Sequence, residues 1–259
     1  MKALALVLLA QAISSPSPAA TPATAPLPAA TRPFSAGERI TMKVTYARVH
    51  AGRATMSVIA AVHEGRPVYH ILQEVRSEGV FAWLFRYKVD NRLLSIWDPA
   101  SGCSHGLDKQ LRQGRYARDV KMRIDPVAGR AEVEIKGVRT PHDVDPCIQD
   151  VLSAFYVARI RGLDARGSLS VPVFDRGRRF EVAFKEIGRE LLDLPPPLGP
   201  RTKTVITEPK VPRGSGLFAQ EGELLVWVTD DARRIPVRAR TRVAVGSVSA
   251  DLESYTPGR

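Results

Sequence analysis

Asp230 and Asp231 are the residues whose type and spacing come nearest to a reactive pair. Adjacent carboxylates raise one another's pKa when both are held in place, and can then divide the roles of acid and base. They follow an apolar segment ending Trp227-Val-Thr, where Asp also closes turns by bonding its own backbone. The pair therefore reads in three ways: a turn with an ion pair to Arg233 or Arg234, a cation site, or the acid and base of a hydrolase. The other familiar patterns are missing. There is no Gly-x-Ser-x-Gly elbow, phosphate-binding loop, dinucleotide fingerprint or His-Glu-x-x-His. Ser215 lies between glycines but lacks a strand-to-helix context, so it reads as part of a flexible loop.

Cys103 and Cys147 are the two cysteines. In an oxidising compartment they are expected to form a disulfide. The alternative is a metal set: Cys103 and His105, two apart on a strand, share a face, and His142 and Cys147 would complete a tetrahedron. His50, His63 and His70 form no ligand pattern and read as surface residues. No cofactor is expected.

Such groups need elements to hold them. The one clear helix is Asp145 to Arg159, DPCIQDVLSAFYVAR. Asp145 suits the N-cap and Pro146 the first helical position. Ile148, Val151, Leu152 and Phe155 make one apolar stripe, and Gly162 stands where a stop is expected. Asp150 points to the opposite face. Arg159 falls on the stripe, either capping the helix C-terminus or entering a buried ion pair with an acidic loop. Glu190 is a candidate partner, so Arg159, Glu190, Asp230, Asp231 and Arg234 form the possible ion-pairing set.

Everything else reads as strands. Ala131-Glu-Val-Glu-Ile-Lys136 alternates strictly. Pro236 to Val248 carries Val237, Ala239, Thr241, Val243 and Val245 on one side and Arg238, Arg240 and Arg242 on the other, as one half-buried strand. Many strands with one helix predict a mainly β fold: a large curved antiparallel sheet, an open or half-closed barrel, wrapped around the helix. A two-sheet sandwich is the alternative. Phe155 and Tyr156 on the helix, with the Phe81, Trp83, Leu84 and Phe85 cluster, are candidates to line a ligand cavity between helix and sheet.

Lys2, an apolar run from Ala3 to Ile13 and a small-residue zone have the layout of a signal peptide over residues 1–19, with cleavage possible as late as Ala25. No lipoprotein cysteine follows. Residues 20–33, rich in Pro and Ala, read as a disordered tether, and 34–256 as a single domain. No later segment is apolar enough to be transmembrane. These features predict a periplasmic or secreted protein. The net charge of +11 is spread along strands rather than clustered with stacking aromatics, which argues against nucleic acid and for a basic outer sheet face.

Four patches carry a family resemblance: Phe34-x-x-Gly37-Glu38 with Tyr46 and Gly52; Asp150-x-Leu152-Ser153-Ala154-Phe155-Tyr156-x-x-Arg159; Trp227-x-x-Asp230-Asp231-x-x-Arg234-Ile-Pro236-Val237; and Gly246-Ser247-Val248. Together they resemble the bacterial secreted proteins called domain of unknown function 3108. The resemblance implies an exported β-rich domain, similar by analogy to lipoprotein-carrier half-barrels, and supplies no catalytic residues. Three roles follow as expectations. The first is a non-enzymatic binder or carrier of a lipid-like or amphipathic envelope component. The second is an assembly factor that meets other envelope proteins. The third is a hydrolase of an envelope polymer.

Overall fold

The computed structural model describes residues 32–78, 88–210, 224–242 and 246–259. The proposed signal peptide, most of the tether, and the Phe81, Trp83, Leu84 and Phe85 cluster lie outside these residues. The chain first lays down β1 (Arg39–Tyr46), β2 (Val49–His63), β3 (Arg66–Ser77), β4 (Asp90–Trp97), β5 (Ser104–Gln113), β6 (Tyr116–Asp125), β7 (Arg130–Ile135) and β8 (Val138–Asp143). Then α1 (Ser153–Arg161) crosses, and β9 (Ser168–Asp175), β10 (Arg178–Leu192), β11 (Thr202–Lys210), β12 (Leu224–Thr229), β13 (Pro236–Arg242) and β14 (Ser247–Thr256) follow.

Among the described residues all fourteen strands belong to one sheet, ordered β8 back to β1 and then β14 back to β9. Both halves are meanders, and the antiparallel pairing of β1 with β14 joins them. The sheet curls around α1 but does not close, because β8 and β9 do not pair. Alternation is the reason these segments form strands: in β7, Ala131 and Val133 are buried while Glu132 is exposed.

Two sequence expectations change here. The expected strand Pro236 to Val248 is two strands, β13 and β14, with Gly246 at positive φ before β14. The strand β8 was not foreseen, because four of its six residues are exposed in a row and show no alternation.

The helix starts later than its apolar spacing suggests. Asp145 does not cap it; its carboxylate accepts from Arg179 instead. Cys147 sits at φ 57, outside the helical region. Gln149 exchanges backbone bonds with β9, donating to Pro172 and accepting from Phe174. A crosslink and a strand-like contact therefore occupy the segment that a simple cap would have made helical. The capping role passes to Asp150, which is fully buried rather than on an outer face. Its Oδ1 accepts from the N–H groups of Leu152 (2.8 Å) and Ser153 (3.0 Å), while Ser153 Oγ accepts from the Asp150 N–H (3.0 Å). This reciprocal arrangement is a capping box. Asp150 Oδ2 accepts from Ser95 and Ser104 at 2.6 and 2.7 Å, which ties the start of α1 to β4 and β5.

Cys103 and Cys147 are bridged, with Cα atoms 4.6 Å apart, so neither is free for metal. His105 packs against His63, and His142 against Phe174.

Candidate functional site

A cavity of about 560 Å³ lies between α1 and the concave face of the sheet. Strand register explains how scattered residues reach it. Ala250, Ala239, Val226, Thr207 and Glu186 stand opposite one another across β14, β13, β12, β11 and β10, and all line the space. A second row, Pro236, Val228, Val205 and Arg189, runs beside it. The floor is open because Ala54, Ala239 and Ala250 are small, while Phe155, Ala158 and Leu163 form the roof. Phe155 meets Phe184 edge-on, with centroids 5.4 Å apart.

Both rows end at charged residues on the rim. Glu186 and Arg189 are three apart, yet both face inward, because a bulge lies between Glu186 and Gly188. Arg189 donates to Glu186 at 2.8 Å and to Asp230 at 2.9 Å, bridging β10 to the turn before β13. These contacts raise the Arg189 pKa, chiefly through the Glu186 hydrogen bond and then the Asp230 charge. The bulge also turns Glu190 away from the cavity. Glu190 accepts from the Trp227 indole at 2.7 Å on the outer face, where Arg238 and Arg240 lie over the Trp227 ring. It is not the partner of Arg159.

That partner is Glu38. Two guanidinium nitrogens of Arg159 donate to the two carboxylate oxygens at 2.7 and 2.9 Å, with both side chains buried. Burial pulls the Arg159 pKa down, but the Glu38 hydrogen bonds and charge outweigh it and hold it above the usual value. The guanidinium also lies 5.2 Å from the Phe34 ring centroid and 5.3 Å from that of Tyr156. Tyr255 donates to Glu38 at 3.4 Å.

Arg234 makes no ion pair in this group. It donates to the Arg159 carbonyl at 2.8 Å and so caps the end of α1. Gly162 makes room for it: a Cβ there would lie 2.6 Å from the guanidinium, and its φ of 68° favours glycine. Gly162→Ala is expected to destabilise the fold by more than ~1 kcal/mol, read as a lowered denaturation midpoint.

Asp230 and Asp231 do not act as a pair. Asp230 holds Arg189, whereas Asp231 accepts from Thr229, from the Arg233 and Arg234 backbone, and from the Arg233 guanidinium. Burial pushes the Asp231 carboxyl up, but the hydrogen bonds from Arg233 and Thr229 outweigh this and hold it below the usual range. The turn with an ion pair to Arg233 is the arrangement observed.

Sequence reasoning missed Glu38 as a partner and missed the buried Lys109–Asp175 contact at 2.5 Å. Burial drives the Lys109 pKa down, against the attraction of Asp175. Neither Lys109 nor Asp175 lines the cavity. Tyr156 and Gln73 do, and among the described residues the Tyr156 hydroxyl and the Gln73 Oε1 are buried without a hydrogen-bond partner. Burial raises the Tyr156 pKa far above its usual value.

The family described as "Protein of unknown function (DUF3108)" matches residues 40–253. No curated protein matches the sequence. Among solved structures, the chain is similar to a beta-barrel-like protein of domain of unknown function DUF1849 from Brucella abortus. The likeness has a TM-score of 0.55 at 9% identity and covers 85% of this chain and 97% of the other. At that identity it speaks to the fold alone.

Proposed function

Because the chain belongs to the DUF3108 family, whose description assigns no activity, we propose from the cavity itself that this protein is a non-enzymatic binder or carrier of an apolar or amphipathic compound. The observation that carries the reading is the open space of about 560 Å³ between α1 and a floor of small apolar side chains, with charge confined to one rim. That volume falls within the ~300–1,000 Å³ range of small-molecule sites. The disulfide, together with the basic, apolar and small-residue order of the N-terminal stretch, favours work outside the cytoplasm, on a component of the cell envelope.

The test is a titration with an uncharged fluorescent acyl probe. Wild-type protein is expected to take up the probe saturably. Ala239→Phe places a ring on the cavity floor and is expected to weaken uptake at least tenfold, with the thermal midpoint unchanged or higher. Equal uptake by the two proteins would place the probe elsewhere and overturn the reading.

A further inference from the structure

One cation of the cavity lining has no counter-charge, which narrows the class of ligand, given that the cavity binds one as argued above. Three guanidiniums line the space, those of Arg159, Arg189 and Arg234. Arg159 is held by both oxygens of Glu38, and Arg189 by Glu186 and Asp230. Arg234 is half-buried, and among the described residues it pairs with no carboxylate. The two lining acids that Arg189 does not hold are engaged elsewhere. Asp231 holds Arg233 at 2.6 Å, and Asp164 accepts from the N–H groups of Arg166 and Ser168 at 2.8 and 2.9 Å. Half-burial strips water from Arg234 without supplying an anion in its place.

The free part of Arg234 is the part that grips anions. Only Nη1 is used, donating to the Arg159 carbonyl at 2.8 Å and to that of Ala232 at 3.4 Å. Nε and Nη2 donate to nothing among the described residues, and neither belongs to the buried unpartnered atoms, so both keep accessible surface. Their N–H bonds point the same way, and elsewhere in the chain this edge holds carboxylates. Arg53 reaches the two oxygens of Glu253 through it at 2.7 and 3.3 Å, and Arg189 those of Glu186 at 2.8 and 3.4 Å. Gly162 does not block the edge. A Cβ there would lie 2.6, 2.8 and 2.9 Å from Nη2, Cζ and Nε, and such near-equal distances put the glycine against the flat of the group. The backbone is set to present it. Arg234 has φ 45, uncommon for a residue with a side chain, and Asp231 Oδ1 holds that turn by accepting from the Arg233 and Arg234 N–H groups at 3.0 and 3.2 Å.

We propose that Arg234 receives the anionic head of a single-chain amphiphile, a carboxylate or a phosphate, while the chain lies along the floor of Ala239 and Ala250 under α1. Two oxygens of the head fit the Nε–Nη2 edge side by side. The experiment is displacement of the uncharged probe by laurate, dodecyl phosphate and monolauroylglycerol, whose chains have one length. In wild type the better anion is expected to compete roughly tenfold or more above the neutral lipid. Laurate ahead marks a carboxylate head, and dodecyl phosphate ahead a phosphate head. Arg234→Lys keeps the charge and a donor but loses the paired edge, so its anion preference is expected to fall several-fold. Arg234→Met is expected to abolish it. Each ratio is taken within one variant that still binds the probe, so a loosened helix end does not mimic the effect. Carboxyl-labelled laurate, followed by carbon NMR on wild type, needs no substitution: the bound carboxyl is expected to titrate below the free one. Monolauroylglycerol competing as well as both anions would overturn the head-group proposal while leaving the carrier reading intact. So would an anion ratio unchanged in Arg234→Met, or a bound carboxyl titrating at or above its free value. Failure of the probe to bind at all would overturn both.

Discussion

Arg159→Met is expected to destabilise the fold by ~3–5 kcal/mol, because it leaves the buried Glu38 carboxylate without its cation. Glu38 is 1% exposed, so water cannot replace the guanidinium. The change removes more than one pair. Arg159 also donates to the carbonyls of Arg233 and Pro33 and lies against the Phe34 and Tyr156 rings. One side chain thus joins the start of the domain, the helix and the turn before β13. Urea denaturation with a double-mutant cycle checks this. Glu38→Met with Arg159→Met is expected to recover part of the loss, since no isolated charge remains, but not all of it, because the two carbonyls stay unpaired. A single Arg159→Met variant as stable as wild type would remove the pair from the account of the fold.

Loss of the Cys103–Cys147 bridge is expected to cost ~3–4 kcal/mol in the chain-entropy model, for residues separated by 44 positions. The bridge does more than shorten a loop. It fixes the segment before α1 against the strand that follows Cys103, beside the Ser95, Ser104 and Asp150 contacts that begin the helix. Cys103→Ser with Cys147→Ser is expected to lower the denaturation midpoint accordingly and to weaken probe uptake, since the cavity roof is α1. Stability independent of reducing agent in the wild-type protein would contradict this.

What could be read in the sequence was what local pattern encodes. Alternation revealed most of the strands, and two cysteines in a chain with an export-like N-terminus led to the disulfide. Spacing placed Phe155 and Tyr156 on the helix, and both line the cavity. The ion pairs were less legible, because they depend on distant register. Arg159 meets Glu38 across 121 residues, which no local spacing encodes. Glu190 was the wrong partner because the bulge in β10 reverses the facing of every later residue, and a bulge leaves no reliable mark on an alternating pattern. The helix start shifted for a similar reason: Asp145-Pro146 is a good local cap, but the bridge at Cys147 and the contact of Gln149 with β9 override it. Three of the four patches that carried the family resemblance meet around α1. Glu38 pairs with Arg159, and Arg234 caps the helix that Asp150 begins. Their meeting ties the start of the domain, the helix and the turn before β13 together.

The central claim is that the space between α1 and the sheet holds a ligand. Mass spectrometry of organic extracts from protein purified without detergent addresses it most directly. A co-purifying apolar or amphipathic compound is expected, approaching one per chain in wild type and depleted in Ala239→Phe. Clean extracts from both proteins, together with no saturable uptake of the uncharged probe, would contradict it.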